Sequence, residues 1–272
     1  MSNVRGAITI AGTDPSGGAG IQADLKTFQE LEAFGMSVIT SVVAQNTTGV
    51  RGMEHMPLSI IDHQLAAVLE DMPVHALKTG MIATTDMMKL VASRIQQAGV
   101  PYVMDPVMIA QSGDALMDEA SRSALRETLL PLATVVTPNV PEAEAITGEL
   151  VETEADMRKV AKIIVHEFGS KSVVVKGGHM EGEALDLFYD GEDFHTLVTP
   201  RFDTKHTHGT GCTFSAAITA ELAKGKSLLE AVQTGKRFIA LAIEHTLGIG
   251  HGQGPTNHWA YRHHQHKLEE IR

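Results

Sequence analysis

The sequence predicts an α/β fold built on a mostly parallel sheet that is covered by helices on both faces. Short β-branched or aliphatic runs alternate with amphipathic helical stretches along all 272 residues, which is the pattern of consecutive βαβ units. Several apolar runs end on Gly, Pro, Asp or Lys, at the strand ends where parallel sheets bind ligands. No internal repeat and no long Pro-, Gly- or Ser-rich linker interrupts the chain, so we predict one domain over residues 1–272.

Six apolar runs are the candidate parallel strands. They are, in chain order, Ala7 to Ala11, Ser37 to Ala44, Ala76 to Lys78, Tyr102 to Met104, Thr134 to Thr137 and Ser172 to Lys176. Two further runs, Asp186 to Tyr189 and Phe194 to Val198, flank a short Asp-Gly-Glu-Asp connection. Such a connection predicts a hairpin, so we expect antiparallel strands at one edge of the sheet.

Four stretches have the apolar periodicity of helices that pack on a sheet. Ile21 to Leu31, Ile60 to Leu69 and Leu228 to Ile243 each carry one apolar face. Ser59 and Ser227 directly precede two of them and are predicted N-caps. The fourth stretch has a stripe formed by Met157, Val160, Ala161, Ile164, Val165 and Phe168.

Composition excludes several classes of protein. The chain has 22 basic and 33 acidic residues, a net charge of −11, which argues against nonspecific binding to nucleic acid or to anionic membranes. Aromatic residues make up only 4%, too few for platforms that stack nucleic-acid bases. No apolar run approaches the length that spans a bilayer. The single cysteine and the absence of an apolar leader predict a cytoplasmic protein.

Residues 12–20, Gly-Thr-Asp-Pro-Ser-Gly-Gly-Ala-Gly, are a candidate ligand loop between the first strand and the first helix. Amides at a helix N-terminus can meet an anion there. The loop is not a Walker A loop, because Gly18 and Ala19 stand where Lys and Ser or Thr would be. A plain strand-to-helix turn accounts for the segment about as well, although its length favours contact between its amides and a ligand.

Residues 208–214, His-Gly-Thr-Gly-Cys-Thr-Phe, predict a glycine-rich helix start. Its free amides would stabilise negative charge that develops during a reaction. Cys212 lies in this first turn, and a thiol at a helix N-terminus has a lowered pKa. The residue is therefore either a partly ionised base or a ligand contact, whereas an ordinary helix entry with a buried cysteine is the simpler alternative.

Residues 137–142, Thr-Pro-Asn-Val-Pro-Glu, follow another strand. Asn139 and Pro141 suit the start of a helix, and capping alone can explain them. Asn139 and Glu142 also lie one turn apart, so that both oxygens can serve hydrated Mg²⁺.

Two charged residues complete the set at the strand ends. Asp105 leaves one strand and Lys176 leaves another, and the carboxyl ends of parallel strands share one crevice. A lysine, carboxylates, an Asn/Glu pair and an anion hole together predict phosphoryl transfer, which depends on positioning and on neutralising phosphate charge.

Histidine is abundant near the C-terminus at His258, His263, His264 and His266. Their neighbours are charged, and the spacing matches no closed metal site. We therefore interpret the cluster as part of a polar tail.

Six segments, in order, carry a resemblance that runs essentially the full length of the chain. They are residues 11–24, 44–47, 78–81, 137–139, 176–179 and 207–213. With them the chain resembles the hydroxymethylpyrimidine/phosphomethylpyrimidine kinases of thiamine biosynthesis, in the ribokinase-like superfamily. The resemblance implies a three-layer α/β/α fold with a mostly parallel central sheet and an antiparallel edge hairpin.

The resemblance also implies an activity: ATP and Mg²⁺ support phosphorylation of 4-amino-5-hydroxymethyl-2-methylpyrimidine to its monophosphate, and then to the diphosphate, at one site. Asp24 and Gln45 would hydrogen-bond the pyrimidine. The implied pocket lining is Gly12, Val43, Met81 and Val107. The implied nucleotide contacts are Asn139, Lys176, Thr207 and Thr210. The implied supports of Mg²⁺ and its waters are Asp105, Asn139 and Glu142. The implied catalytic set is Lys176, Gly209, Gly211 and Cys212.

Two departures refine the substrate. Sugar kinases of the superfamily have an Asp base where this chain has Cys212, which indicates the pyrimidine and pyridoxal branch. Some pyridoxal-phosphorylating relatives use a second cysteine in a flexible loop, where this chain has Ala110. Pyridoxal kinase is therefore the alternative activity, and a non-catalytic pyrimidine-binding protein on the same fold is another. Residues 112–114 are a candidate lid, and the resemblance implies a homodimer.

Overall fold

The computed structural model describes residues 4–108, 119–178 and 183–264. The strands are β1 (Gly6–Ala11), β2 (Phe34–Ile39), β3 (Ser41–Asn46), β4 (Gly49–His55), β5 (Val74–Thr79), β6 (Tyr102–Met104), β7 (Val135–Val136), β8 (Val173–Lys176), β9 (Ala184–Tyr189) and β10 (Phe194–Thr199). Eight of them form one sheet in the order β10-β9-β8-β7-β6-β5-β1-β2. The six strands from β8 to β2 in that order are parallel to one another. At the edge, β9 runs antiparallel to β8, and β10 runs antiparallel to β9. The predicted mostly parallel sheet with an edge hairpin is confirmed.

The helices are α1 (Gly20–Glu30), α2 (Leu58–Asp71), α3 (Thr85–Ala98), α4 (Glu119–Ala124), α5 (Val140–Thr147), α6 (Glu154–His166), α7 (Thr210–Ala223), α8 (Leu228–Glu244) and α9 (Ala260–His264). A π turn over Leu125–Leu129 and a 3-10 turn over Leu130–Leu132 continue α4. Across the three described ranges, no helix is both long and apolar enough to cross a membrane.

The sheet has a hydrophobic core on each face, because successive side chains of a strand point to opposite sides. On β1, Ile8 joins a core that contains residues of α2, α3, α5 and α6. Its neighbour Ala7 joins the other core, in which Phe214 of α7 and Phe238 of α8 are fully or almost fully buried. The result is the three-layer α/β/α arrangement.

The predicted strand from Ser37 to Ala44 is wrong as a single element. β2 ends at Ile39, opposite Ala11, the last residue of β1, so the chain has no further partner in the main sheet. After Thr40 it continues as β3 and pairs with β4 in a separate antiparallel ribbon. This ribbon brings residues 43–53 over the carboxyl ends of the parallel strands.

The helix starts agree with the predicted caps in two of three cases. The Asn139 side chain accepts from the amide of Glu142, and the Ser227 side chain accepts from the amide of Glu230. Ser59 is not a cap, because α2 begins one residue earlier at Leu58. The predicted lid at residues 112–114 lies outside the described residues, as do Ala110, His179 and His266.

Candidate active site

One cavity of about 420 Å³ lies at the carboxyl ends of the parallel strands, beneath the β3–β4 ribbon. All the predicted site residues except one line it. These are Gly12, Val43, Gln45, Met81, Asp105, Val107, Asn139, Glu142, Lys176, Thr207, Gly209, Thr210, Gly211 and Cys212. The convergence of strand ends is therefore as expected from a parallel sheet.

Asp24 is the exception, and the structure corrects its predicted contact with a pyrimidine. Its carboxylate is fully buried beneath the cavity wall and does not line the cavity. One oxygen lies 2.7 Å from Nζ of Lys78, and the other accepts a 2.6 Å hydrogen bond from the Thr9 hydroxyl. Because both oxygens of the Asp24 carboxylate bind protein groups, the side chain stabilises the floor of the cavity and does not contact a ligand.

Lys78 connects that floor to the start of α7. Its Nζ lies 3.5 Å from the carbonyl oxygen of Cys212, to which it donates. Burial alone would lower the pKa of the Lys78 ammonium, but the carboxylate of Asp24, together with Cys212 and Asp105, raises it. A permanent positive charge is therefore held below the first turn of α7.

Three amides of the glycine-rich loop are turned toward Asp14 rather than toward the cavity. The amides of Gly18 and Ala19 both donate to the carboxylate of Asp14, at 3.0 and 2.7 Å. The amide of Ser16 donates to the same carboxylate at 2.9 Å. The loop is thus folded around its own aspartate, and the loop residues that line the cavity are Gly12, Thr13, Ala19 and Gly20.

The first turn of α7 presents amides at the cavity wall. Its N-cap is Gly209, in the left-handed conformation with φ of +81°, and it has no capping side chain. Among the described residues, no acceptor engages the amides of Gly211 and Cys212. First-turn amides have no intrahelical acceptor and lie at the positive end of the helix dipole, so this turn can bind phosphate oxygens.

The pKa of Cys212 departs from the sequence prediction. Burial raises the pKa of the thiol to about 12, even though Lys78 lowers it. The prediction of a partly ionised thiol at neutral pH is therefore wrong, because the sequence shows the helix start but not the desolvation of the partly buried Cys212 side chain at the cavity wall. The Cys212 side chain is a neutral thiol in nearly all molecules at pH 7.

Lys176 lies beside two carboxylates at the middle of the cavity. Its Nζ is 3.6 Å from a carboxylate oxygen of Asp105. Burial would lower the pKa of Lys176, but Asp105, Glu142 and Asp186 raise it. Gly211 leaves room for this group, since a Cβ there would lie 3.3 Å from Nζ of Lys176. A fixed cation therefore faces the first turn of α7.

Asn139 and Glu142 form the capping box of α5. The Asn139 side-chain oxygen accepts from the Glu142 amide at 2.8 Å, and Glu142 accepts from the Asn139 amide at 2.9 Å. Both still line the cavity. Each oxygen keeps a lone pair, so capping and a role toward a cation are compatible.

The oxygen donors suit Mg²⁺ that arrives with phosphates. Asp105 and Glu142 supply two carboxylates, and Mg²⁺ typically takes one or two carboxylates, waters and substrate phosphates. Within the part of the chain that the structure describes, no group of three or more His, Cys, Asp or Glu side chains can enclose a metal ion. The two carboxylates fit an ion that also binds substrate phosphates.

Glu142→Gln is expected to stabilise the protein above pH 7. Burial, opposed by Lys176, raises the pKa of Glu142 from 4.5 to about 7. The folded state then holds a proton that the unfolded state releases, so stability falls as pH rises from about 4.5 to about 7, by on the order of 3 kcal/mol. Glutamine removes this loss and still accepts from the Asn139 amide.

Urea unfolding of both proteins at pH 5, 6, 7 and 8 measures the effect. The stability difference should grow up to about pH 7 and then level off. Glu154→Gln, at an exposed pair with Arg158, is the control and should show a small difference at every pH. A Glu142→Gln difference that does not change with pH contradicts the burial of a protonated carboxyl.

The cavity has two chemically distinct ends. The end beneath the ribbon is lined by Gly12, Val43, Gln45, Val50, Met53, Met81 and Val107. The side-chain amide of Gln45 is the polar group at this end. The opposite end is lined mainly by apolar side chains of Ala184, Pro200, Phe202, Ile239, Ala240 and Ile243. Lys176, Asp105 and the start of α7 lie between the pocket beneath the ribbon, in which Gln45 is the polar side chain, and the apolar cleft at the opposite end.

The sequence analysis assigns no role to three side chains of the site. His208 forms a 2.8 Å contact with Asp14. Lys236 of α8 lies 2.8 Å from Asp186 of β9, and both line the apolar end. A positively charged residue inside an otherwise apolar helix face is the one hint that α8 offers, because such a charge needs a buried partner.

His258 does not belong to the predicted polar tail. It is 5% exposed, and its Nε2 lies 3.1 Å from the Thr213 hydroxyl. Burial and the nearby Lys26 lower the pKa of His258 to about 4. The residue is a neutral core histidine that supports α7.

Known proteins share this sequence and fold. A family model described as phosphomethylpyrimidine kinase matches residues 14–257. The hydroxymethylpyrimidine/phosphomethylpyrimidine kinase of Staphylococcus aureus (strain MSSA476) is 52% identical over 258 residues, which cover 94% of each chain.

Solved structures give the same fold. An ADP complex of Bacillus subtilis pyridoxal kinase has a TM-score of 0.88 and 43% identity, covering 95% of this chain and 99% of that one. The pyridoxal kinase from Staphylococcus aureus in complex with AMP-PCP and pyridoxal has a TM-score of 0.88 and 38% identity, covering 98% and 97%. From its sequence and its fold together, the chain belongs to the phosphomethylpyrimidine kinase family of phosphotransferases.

Proposed function

We propose that this kinase, acting as one domain over residues 1–272, transfers the γ-phosphoryl group of ATP to the hydroxymethyl group of 4-amino-5-hydroxymethyl-2-methylpyrimidine. A second transfer to the monophosphate gives the diphosphate. The observation that carries this proposal is the placement of Lys176, Asp105 and the first turn of α7 between the two ends of one cavity. The end beneath the ribbon takes the pyrimidine, and the apolar cleft takes the adenosine part of ATP. Its use of ATP supports a cytoplasmic protein.

The transfer depends on positioning and charge. Lys176 faces the phosphates as a fixed cation, and the amides of Gly211 and Cys212 bind the oxygens of the transferring group. Asp105 and Glu142 would hold Mg²⁺ through waters, with Asn139 beside them, and the ion would neutralise phosphate charge. The substrate oxygen forms the new P–O bond as the bond between the γ-phosphorus and the bridging oxygen breaks, and ADP leaves.

The proton of the substrate hydroxyl goes to Sγ of Cys212. The thiol first loses its own proton to solvent, so that the small thiolate population is the base. The ammonium of Lys78 below it favours this anion, and the amide of Gly20 donates to the sulfur. Thr207 and Thr210 line the cavity beside this turn and contact the phosphates of ATP.

The end of the cavity beneath the ribbon, which takes the pyrimidine, is called the acceptor pocket below. Gln45→Ala is expected to raise KM for the pyrimidine by about tenfold or more, because it removes a hydrogen-bonding amide from this acceptor pocket. KM for ATP should stay within about twofold of the wild-type value. Steady-state kinetics with each substrate varied in turn measure both values. Gln97→Ala, on the exposed end of α3, is the control and should change neither. An unchanged KM for the pyrimidine removes Gln45 from the site.

Pyridoxal is the second candidate acceptor, favoured by the similarity to two solved pyridoxal kinases. A product assay with ATP and Mg²⁺ offers hydroxymethylpyrimidine, its monophosphate and pyridoxal in parallel, with products identified by mass. We expect the pyrimidine mono- and diphosphates. Product from pyridoxal alone overturns the substrate, and binding without turnover favours the non-catalytic alternative.

A homodimer is also proposed. Val42 of the β3–β4 ribbon and Leu58 and Ile60, shortly after it, are apolar side chains that are 41–50% exposed, and a second copy would cover them. Analytical ultracentrifugation tests this: a monomer at micromolar concentration contradicts it.

A further inference from the structure

A buried carboxylate–histidine pair joins two loops of the active site and takes no part in the mechanism above. Asp14 lies in the loop between β1 and α1, and His208 directly precedes the N-cap of α7. Nε2 of His208 is 2.8 Å from a carboxylate oxygen of Asp14. Asp14 is fully buried, whereas His208 lines the cavity.

The carboxylate of Asp14 is the centre of a hydrogen-bond cluster. Besides His208, it accepts from the amide and hydroxyl of Ser16 and from the amides of Gly18 and Ala19. Burial raises the pKa of Asp14, but the hydrogen bonds from His208 and Ser16 outweigh burial and lower it to about 2. An ionised carboxylate only accepts, so Nε2 of His208 is the donor.

The two loops also meet through their backbones. A Cβ on Gly209 would lie 1.7 Å from the carbonyl oxygen of Gly18, and a Cβ on Gly18 would lie 2.6 Å from Cδ2 of His208. The backbone of His208 is fixed from the other side, where its amide donates to Gly254 and its carbonyl accepts from Thr256. The ring is therefore packed between three segments of the chain.

We propose that Asp14 and His208 are positioning residues that set the distance between the acceptor pocket and the first-turn amides of Gly211 and Cys212. The same loop that holds Asp14 begins with Gly12, which lines the acceptor pocket, and His208 is followed at once by the N-cap Gly209. One hydrogen bond thus joins the pocket that holds the nucleophile to the helix start that binds the transferring group. This inference rests on the proposed phosphoryl transfer.

The expected consequence is a loss of turnover rather than of binding. Amides that bind the transferring group act mainly in the transition state, so a displacement of a fraction of an ångström lowers kcat more than it raises KM. His208→Leu should lower kcat by about 30- to 100-fold, with KM for ATP and for the acceptor within about threefold. His208→Gln should keep kcat within about fivefold, since its side-chain amide can still donate to Asp14.

The experiment measures kcat, both KM values and the thermal midpoint for each variant, with soluble folded protein confirmed by circular dichroism. Asp14→Asn is the second single variant, because an amide cannot accept all five hydrogen bonds. The Asp14→Asn/His208→Leu double variant should lose no more turnover than the worse single variant, as expected for two members of one interaction. His195→Leu is the matched control: its Nε2 lies 3.1 Å from Asp190 on the β9–β10 hairpin, and kcat should not change.

Several outcomes overturn the proposal. A lower thermal midpoint with unchanged kcat makes the pair merely structural. A rise in KM alone makes His208 a direct substrate contact, and equal losses in His208→Leu and His208→Gln exclude the hydrogen bond as the cause. Wild-type turnover tests the proposed function separately; if only pyridoxal is phosphorylated, the same comparison of variants is made with pyridoxal.

Discussion

Cys212→Ala is expected to lower kcat by about 10²- to 10⁴-fold, the range that a positioned base contributes to proton transfer. The substitution removes the sulfur that takes the hydroxyl proton but keeps the backbone amide of residue 212. The amide pair at the start of α7 therefore survives, and nucleotide binding should change little. Single-turnover measurements with ATP and the pyrimidine, alongside an ADP titration, separate the two effects. An equal loss of turnover and nucleotide binding instead indicates a structural role.

The pH profile gives this prediction a second, independent readout. Because burial raises the pKa of the Cys212 thiol to about 12, the thiolate fraction is small at neutral pH and increases tenfold with each pH unit. The single-turnover rate of the wild type should therefore rise with pH from 6 to 9 without a plateau, while the residual rate of Cys212→Ala should be far less dependent on pH. Cys212→Ser keeps the approximate size of the side chain, but a serine hydroxyl is a much weaker acid than a thiol. Its rate and pH dependence should therefore resemble those of Cys212→Ala. A wild-type rate that is flat over this range excludes the thiolate as the base.

The sequence predicts well those features of the fold and the site that depend on residues close together along the chain or on a general property of parallel sheets. The cap at Asn139 and the helix start at residues 208–214 depend on residue types within one turn. The meeting of Asp105, Asn139 and Lys176 follows from a general property of parallel sheets, that their strand ends share one edge. For these residues the sequence was sufficient, although they are far apart along the chain.

The sequence predicts poorly those contacts and pKa values that depend on residues far apart along the chain. His208 is 194 residues from its partner Asp14, and Asp24 is 54 residues from Lys78. Neither pairing leaves a local pattern: the sequence predicts a ligand contact for the loop amides, and the resemblance implies one for Asp24. The pKa of Cys212 was predicted in the wrong direction for the same reason: the helix start is local, but burial is a property of the packed protein. The break between β2 and β3 depends on where β1 ends.

Lys78→Met is expected to lower the free energy of unfolding by about 3 to 5 kcal/mol, the cost of leaving one member of a buried ion pair without its partner. Both side chains of the Lys78–Asp24 pair are fully buried, with 2.7 Å between Nζ and the carboxylate. Methionine fills the space of the lysine stem but leaves the charge of Asp24 without a cation. Urea unfolding at pH 7 measures the change. Lys159→Met is the matched control, because its 2.6 Å pair with Glu149 is largely exposed and should contribute less than about 1 kcal/mol.

The double variant Lys78→Met/Asp24→Leu decides what Asp24 is for. Replacing a buried ion pair by apolar side chains of similar volume is often neutral for stability, so the double variant should recover most of the stability that Lys78→Met loses. If Asp24 serves only Lys78, the recovered protein should bind the pyrimidine with an affinity within about threefold of wild type, measured by calorimetry. A protein of wild-type stability whose pyrimidine affinity is reduced about tenfold or more would return Asp24 to the substrate site. Stability and pyrimidine affinity, measured on the same double variant, therefore decide between two roles for the Asp24 carboxylate: support of Lys78 beneath the cavity, or contact with the pyrimidine.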